Sequence, residues 1–287
     1  MMSIRTSRGD AILQKLGAIV RGNLVHNALR NIYSLMPYGY GLVKVKTDKG
    51  MLKLYTHFEG VQVIDEVFCL REYWKAFERN PRTIVDLGAH IGTFTLLAAH
   101  FILNTHRDGL VVSVEPMLIN YLALLNNIKL NNVEKYVYPI RAAVASKPGL
   151  VEVEWIGKRE RVRAMTMQEI ADEARLSGID LVKMDIEGAE LDVLTNNKDW
   201  LRNVNSIVME LHPQVYGLKG LRRIIEGLRE EGFDVKVIRR NIDTGLALEE
   251  WVESVAPSPT WLIITLWKAL VATFVRNYEK EYWLAMR

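Results

Sequence analysis

Two short stretches carry more ionisable groups than a core or a solvated loop requires: KMDIEGAE, Lys183 to Glu190, and MELHP, Met209 to Pro213. Each follows a run of apolar, β-forming residues, so each reads as the carboxyl end of a strand. In an open α/β sheet the reacting groups stand beyond those ends. Lys183, Asp185, Glu187, Glu190, Glu210 and His212 would therefore gather at one place. Carboxylates and an imidazole so placed can take a proton from a hydroxyl, with Asp185 and His212 as the preferred bases and Glu187 and Lys183 beside them. Plainer roles exist for the same residues. Acids in DIEGAE suit the first turn of a helix, and His212, just before Pro213, can simply tie down a loop. Asp185, Glu210 and His212 are rich enough in oxygen ligands to suit Mg²⁺, but no spacing is diagnostic and a metal is not expected.

TIVDLGAHIGTF, Thr83 to Phe94, is a strand followed by a glycine turn and the start of a helix. The dinucleotide fingerprint places a second glycine where backbone must approach a pyrophosphate. Here Gly88 and Gly92 are present, with Ala89 and His90 between them, and His90 obstructs that approach. Asp86, directly before the turn, would repel a diphosphate and suits a cation. Glu115, in VVSVEP before Pro116, can accept hydrogen bonds from both hydroxyls of a ribose. Arg141, Ala142 and Ala143 would lie along an adenine edge, where small side chains leave room for the ring. An adenosyl ligand without phosphate that carries positive charge fits this set, and S-adenosylmethionine (SAM) is such a ligand. Each piece alone has a structural alternative: Asp86 as a helix cap, Glu115 as a solvated loop acid. Their order along the chain favours the ligand, and His90 with Asp86 disfavours a nicotinamide dehydrogenase.

The elements that must position these groups alternate in type. Strands are expected at Thr83–Leu87, Leu110–Glu115, Val137–Val144, Leu181–Asp185 and Ser206–Leu211. Helices are expected at Thr93–Phe101, Ile119–Leu130, Gly188–Leu194 and Leu218–Glu231, and Thr166 with Glu169 forms a capping box that opens another. This is the pattern of a doubly wound, mostly parallel α/β sheet. FDVKVIRR and TWLIITLW follow with no helix between them, so they should close the sheet as an antiparallel hairpin, the plan of the class I (Rossmann-like) SAM-dependent methyltransferases. Before the sheet, LVKVKTDKGMLKLYT reads as a β-hairpin, and residues 64–78 read as a helix.

The chain of 287 residues carries a formal net charge of +3, too small a basic excess for a dedicated nucleic-acid binder. Cys69 is the only cysteine, which excludes an internal disulfide and a cysteine-based zinc site. No secretory leader is read at the N-terminus, and Trp261 to Val275 is shorter than a membrane span and interrupted by Lys268. The expectation is a cytoplasmic protein. Residues 1–40 would form an N-terminal amphipathic helical extension, with its helix over 11–36, that docks on the domain or touches an anionic membrane surface peripherally. Residues 41–270 would form the catalytic domain and 271–287 a C-terminal helix, with homodimerisation left open.

IVDLGAHIGTFTLLAA, VVSVEPMLINYLALLNNIKLNNV, RAAVASKPG, GIDLVKMDIEGAELDVL and IVMELHP together resemble the FkbM-type methyltransferases, in order and in spacing, over roughly residues 43 to 213. The resemblance implies SAM-dependent O-methylation of a hydroxyl on a sugar, glycan, lipid or other small molecule. It also implies SAM contacts at Asp86, Gly88, Gly92 and Glu115. One departure is Gln168, where the family often has an acid. An RNA or tRNA methyltransferase and a non-catalytic SAM-binding protein stand as alternatives. The former is disfavoured because no aromatic residue stands in DIEGAE to stack on a flipped base.

Overall fold

The computed structural model describes residues 4–6, 41–239 and 281–286, apart from 48–49, 57–59, 61–62, 70, 72, 107 and 156. The expected helix over 11–36 and the run TWLIITLW lie outside the described residues.

A central sheet carries the site. Its strands are β4 (Thr83–Leu87), β5 (Leu110–Val114), β6 (Val137–Ile140), β10 (Leu181–Met184), β11 (Ser206–Leu211), β12 (Asp234–Arg239) and β13 (Glu281–Met286). They lie side by side in the order β12-β13-β11-β10-β4-β5-β6. All run parallel except β13, which is antiparallel to both β11 and β12. This is the class I methyltransferase sheet. Glu281 to Met286 supplies the antiparallel strand, so the C-terminal helix expected over 271–287 is replaced by a strand at 281–286.

Helices cover both faces: α1 (Thr93–Thr105), α2 (Leu118–Leu130), α3 (Met167–Glu173), α4 (Glu190–Asn196) and α5 (Pro213–Glu230). Successive strand residues point to opposite sides. Ile84, Val111, Leu181 and Val208 therefore join one apolar cluster with Leu96, Ile102, Leu124 and Ile128, while Val85, Val112, Val182 and Ile207 join another with Ile170, Leu194, Ile224 and Leu228. A sheet covered on both faces needs such near-continuous apolar strands, which is why their sequence signal is strong. The capping box holds as expected, with Thr166 accepting from the Glu169 N–H and the Glu169 side chain accepting from Thr166 N–H. The expected helix over 64–78 is two short turns instead, Asp65–Cys69 and Trp74–Phe77.

Two smaller sheets flank the domain. β1 (Ile4–Thr6), β2 (Gly41–Thr47) and β3 (Gly50–Thr56) form the expected N-terminal hairpin plus one strand, so part of the first 40 residues is strand. The single strand expected at Val137–Val144 divides. β6 stops at Ile140, and β7 (Ala143–Val144) leaves the main sheet to pair with β9 (Lys158–Met165), itself in a hairpin with β8 (Gly149–Trp155). This second hairpin is not among the sequence expectations.

The N-terminal hairpin is tied to the domain by two amides one turn apart on α2. Asn127 accepts from the Tyr55 N–H at 2.6 Å and donates to the Tyr55 and Ile91 carbonyls. Asn131 does the same for Lys53. The two side chains thus satisfy backbone groups of β3 as a further strand would. Asn127 is fully buried. Asn127→Ala, which leaves buried backbone groups unpaired, should lower the unfolding free energy by about 2–4 kcal/mol, and Asn131→Ala by less. Urea unfolding of the two variants checks this, and equal small losses would refute it.

Candidate functional site

The glycine turn, the ends of β5, β10 and β11, and the β8–β9 hairpin enclose a cleft of about 820 Å³, a size that fits a cofactor together with part of an acceptor. Gly88, Ala89, His90, Glu115, Pro116, Ala142, Ala143, Lys183, Asp185, Glu187 and Glu210 all line it. Among the described residues, eight carboxylates and a single lysine line the space, with no arginine. Such a field attracts a cationic ligand and repels a phosphate.

Three expected cofactor residues do not line the cleft. Asp86 is fully buried in the sheet beneath it, accepts from Thr95 Oγ1 at 2.6 Å and lies 3.5 Å from Lys183 Nζ. Its carboxylate suits a cation, as expected, but that cation is a lysine. Gly92 caps α1 in the left-handed region at φ 89°, pressed against Leu124. Arg141 is exposed; its guanidinium pairs with Glu160 at 2.7 Å and donates to the Pro116 carbonyl, tying β9 to the loop after β5.

Lys183 is the centre of the polar arrangement. Its ammonium donates to the Gly88 carbonyl at 2.9 Å and lies 3.7 Å from Asp185. Burial alone would lower its pKa, but the charges of Asp86, Asp185 and Glu210 hold it above the ordinary lysine value. A lysine so held is no base. It clamps the glycine turn to the end of β10. Gly88 has φ 73°, and a Cβ there would strike the Asp185 carbonyl, so only glycine permits this approach.

Glu115 anchors the opposite wall. Its two oxygens accept from the His90 N–H at 2.8 Å and the Met117 N–H at 2.9 Å, with Asn120 further off. Those bonds orient the carboxylate beside the glycine turn. Burial outweighs them, and the pKa rises from the ordinary 4.5 to about 7.

At the far wall the loop after β10 turns back through Glu187, at φ 54°. The buried Glu190 serves the local backbone there: its Oε1 accepts from the N–H groups of Ile186 and Gly188 and also lies 3.0 Å from His212 Nδ1. Helix α4 starts at Glu190, two residues later than expected. The other ring nitrogen of His212, Nε2, faces Asp185 at 3.8 Å and Glu187 at 3.6 Å. Burial lowers the imidazole pKa, but the hydrogen bond and charge of Glu190, with Asp185 and Glu210, raise it overall to about 9. The raised pKa favours the imidazolium, which makes the ring a poorer base than its position alone suggests. Glu210 acts on Lys183 and His212 through its charge. It is not in the converging set, which is Asp185, Glu187 and His212.

The β8–β9 hairpin adds residues that the sequence reading passed over. Glu152, Glu154 and Trp155 line the cleft, and the Trp155 ring meets His90 edge-on at 5.5 Å. Asp192 also lines it and holds the Ser146 N–H and hydroxyl at 2.9 and 2.8 Å. The alternation Val151, Val153, Trp155 ahead of Gly157 was the available signal for the hairpin.

Sheet order and cleft position together define a class I methyltransferase. The methyltransferase FkbM domain matches residues 86–235, and the chain belongs to that family. It is a SAM-dependent methyltransferase. The chain is 26% identical to the methyltransferase sdnD of Sordaria araneosa, over 54% of this chain and 74% of that protein. Among solved structures it is similar to the O-methyltransferase TomG of Streptomyces achromogenes in complex with SAM, at 13% identity and a TM-score of 0.43, covering 75% of this chain and 76% of that one. It is also similar to an O-methyltransferase from Bacillus cereus in complex with SAH, at 11% identity and a TM-score of 0.41, covering 78% and 90%. Among the described residues no helix is long and apolar enough to cross a membrane.

Two predictions follow from the buried charges. Glu115 binds its proton more tightly folded than unfolded, so its contribution to stability is fully present below pH 4.5 and lost as pH rises through about 7. The full span amounts to about 3 kcal/mol. Urea unfolding of wild type and Glu115→Gln at pH 5 and pH 8 should show wild type losing stability relative to the variant; parallel pH dependence would refute the assignment. Lys183→Met strands Asp86 as an unpaired buried charge and should cost about 3–5 kcal/mol at neutral pH. Adding Asp86→Asn should recover part of that loss, and a double variant no more stable than the single would overturn the pairing.

Proposed function

We propose that this chain transfers the methyl group of SAM to an oxygen of a small-molecule, glycan or lipid acceptor held in the acidic cleft. The observation that carries this reading is the donor set: eight carboxylates against one lysine around the cleft, suited to a ligand with a sulfonium and an ammonium and unsuited to a pyrophosphate or a nucleic-acid backbone. The residues fit SAM. The Gly88–Ala89–His90 backbone would hold its amino-acid part, Glu115 its ribose, and Ala142 with Ala143 the adenine edge. SAM supplies a methyl group activated by positive sulfur.

The chain's own contribution is to bind, orient and accept a proton. Burial makes Glu115 costly to ionise, and two ribose hydroxyls donating to the carboxylate would offset that cost. Asp185 faces the cleft with a quarter of its side chain exposed and one oxygen near Lys183. It is the group placed to take the hydroxyl proton as the acceptor oxygen attacks. His212, protonated, adds positive charge on the other side of Asp185 and keeps that carboxylate in position. Trp155 and the acids of the β8–β9 hairpin would meet the acceptor.

Asp185→Asn should slow single-turnover methyl transfer by a factor of about 10²–10⁴ while leaving SAM affinity within a few-fold of wild type. Calorimetry with SAM and a quenched single-turnover assay on a panel of hydroxylated acceptors separate the two effects. Unimpaired transfer in the variant would remove Asp185 as the proton acceptor, and wild-type protein that binds no SAM would end the whole reading.

A further inference from the structure

The contacts at the far wall of the cleft are unusual in their spacing. His212 Nε2 stands 3.8 Å from Asp185 and 3.6 Å from Glu187, beyond hydrogen-bond distance. One ligand atom from each residue lies within 4.8 Å of the other two. Ligands about 2.1–2.2 Å from one ion lie about 3.0 Å apart when adjacent and about 4.3 Å apart when opposed. The separations exceed those of ligands on one ion by less than about 1 Å, a contraction left to make. Glu187 can make it, because its side chain is 82% exposed.

His212 is also prepared as a ligand. The residue is 5% exposed. Its Nδ1 is held at 3.0 Å by the fully buried Glu190, which is itself fixed by two backbone N–H groups. A carboxylate behind an imidazole sets the tautomer that presents Nε2 forward, the arrangement found behind metal-bound histidines. Charge points the same way. Asp185, Glu187, Glu190 and Glu210 outnumber Lys183 and His212 here even when both are protonated.

We infer that Asp185, Glu187 and His212 form a binding site for a six-coordinate divalent cation of the Mn²⁺ class at the acceptor end of the cleft. One imidazole among oxygen ligands suits such an ion. The ion would take the place of the His212 ring proton. Three protein ligands leave positions for acceptor oxygens, and a hydroxyl bound there loses its proton more readily. The inference rests on the methyltransferase reading for the identity of the acceptor, but the site itself does not.

The test uses the full chain freed of metal by chelator and titrated with Mn²⁺ alone, with free ion counted by electron paramagnetic resonance. One ion per chain should bind, and the bound ion should show spin-echo modulation from one imidazole nitrogen. His212→Ala should abolish the modulation, and His212→Ala and Glu187→Gln should each weaken binding by about tenfold or more. Glu187→Gln changes an exposed side chain, so its fold is not at stake. Asp199→Asn, an exposed acid outside the cleft, should bind as wild type does. Absence of saturable binding, binding unchanged in both variants, loss in Asp199→Asn as well, or bound Mn²⁺ without a nitrogen signal would each overturn the site. SAM calorimetry on the same protein separates failures: a chain that binds SAM but takes up no Mn²⁺ sinks the cation site alone, and a chain that binds no SAM sinks the methyltransferase reading.

Discussion

Lys183 places an ammonium where burial would discharge it, and three strand ends keep it charged: Asp86 from β4, Asp185 at the exit of β10 and Glu210 from β11. The same ammonium donates to the Gly88 carbonyl. The turn that would hold a cofactor and the loop that would hold an acceptor are therefore fixed to one charge. Neither can shift without leaving a buried ion poorly paired, which is among the most costly changes a protein interior can undergo. Gly88 follows from this constraint. With the turn drawn down onto the Asp185 backbone, no side chain fits between them.

Much of the sheet was legible in the sequence because its strands are buried on both faces and read as short apolar runs; β11 occupies the very residues expected, Ser206–Leu211. The β8–β9 hairpin was not, because most of its residues are exposed or half-buried and its charges crowd both faces, leaving only Val151, Val153 and Trp155 as a faint alternation. The closing antiparallel strand was expected of the right kind but from the wrong residues. TWLIITLW is the more apolar run, whereas Glu281–Met286 is the one that pairs between β11 and β12.

At the site, the sequence located the right stretches and misjudged some roles. KMDIEGAE and MELHP do converge, and of the acids in DIEGAE read as serving the local backbone, Glu190 does so, through the N–H groups of Ile186 and Gly188, while the exposed Glu187 faces His212. Residue type and strand-end position made His212 a candidate base. Only the three-dimensional placement of Glu190, Asp185 and Glu210 around it shows why the ring stays protonated. Likewise an acid before a glycine turn reads as a ligand contact, and only burial reveals that Asp86 is spent on Lys183.

The order of strands in the main sheet has a consequence for how the chain is made. Among the described residues β12 has one neighbour, β13, and β13 is formed by residues 281–286, more than forty positions later in the chain. On a growing chain the antiparallel neighbour that β11 and β12 share arrives only when synthesis has passed that point. Pairing across so long a separation closes a large loop and is slow. Until it arrives, β11 lacks the strand that covers its edge in the finished sheet, and an apolar edge of that sort recruits other chains, which makes the last step of sheet assembly the one most open to misfolding and to chaperone capture.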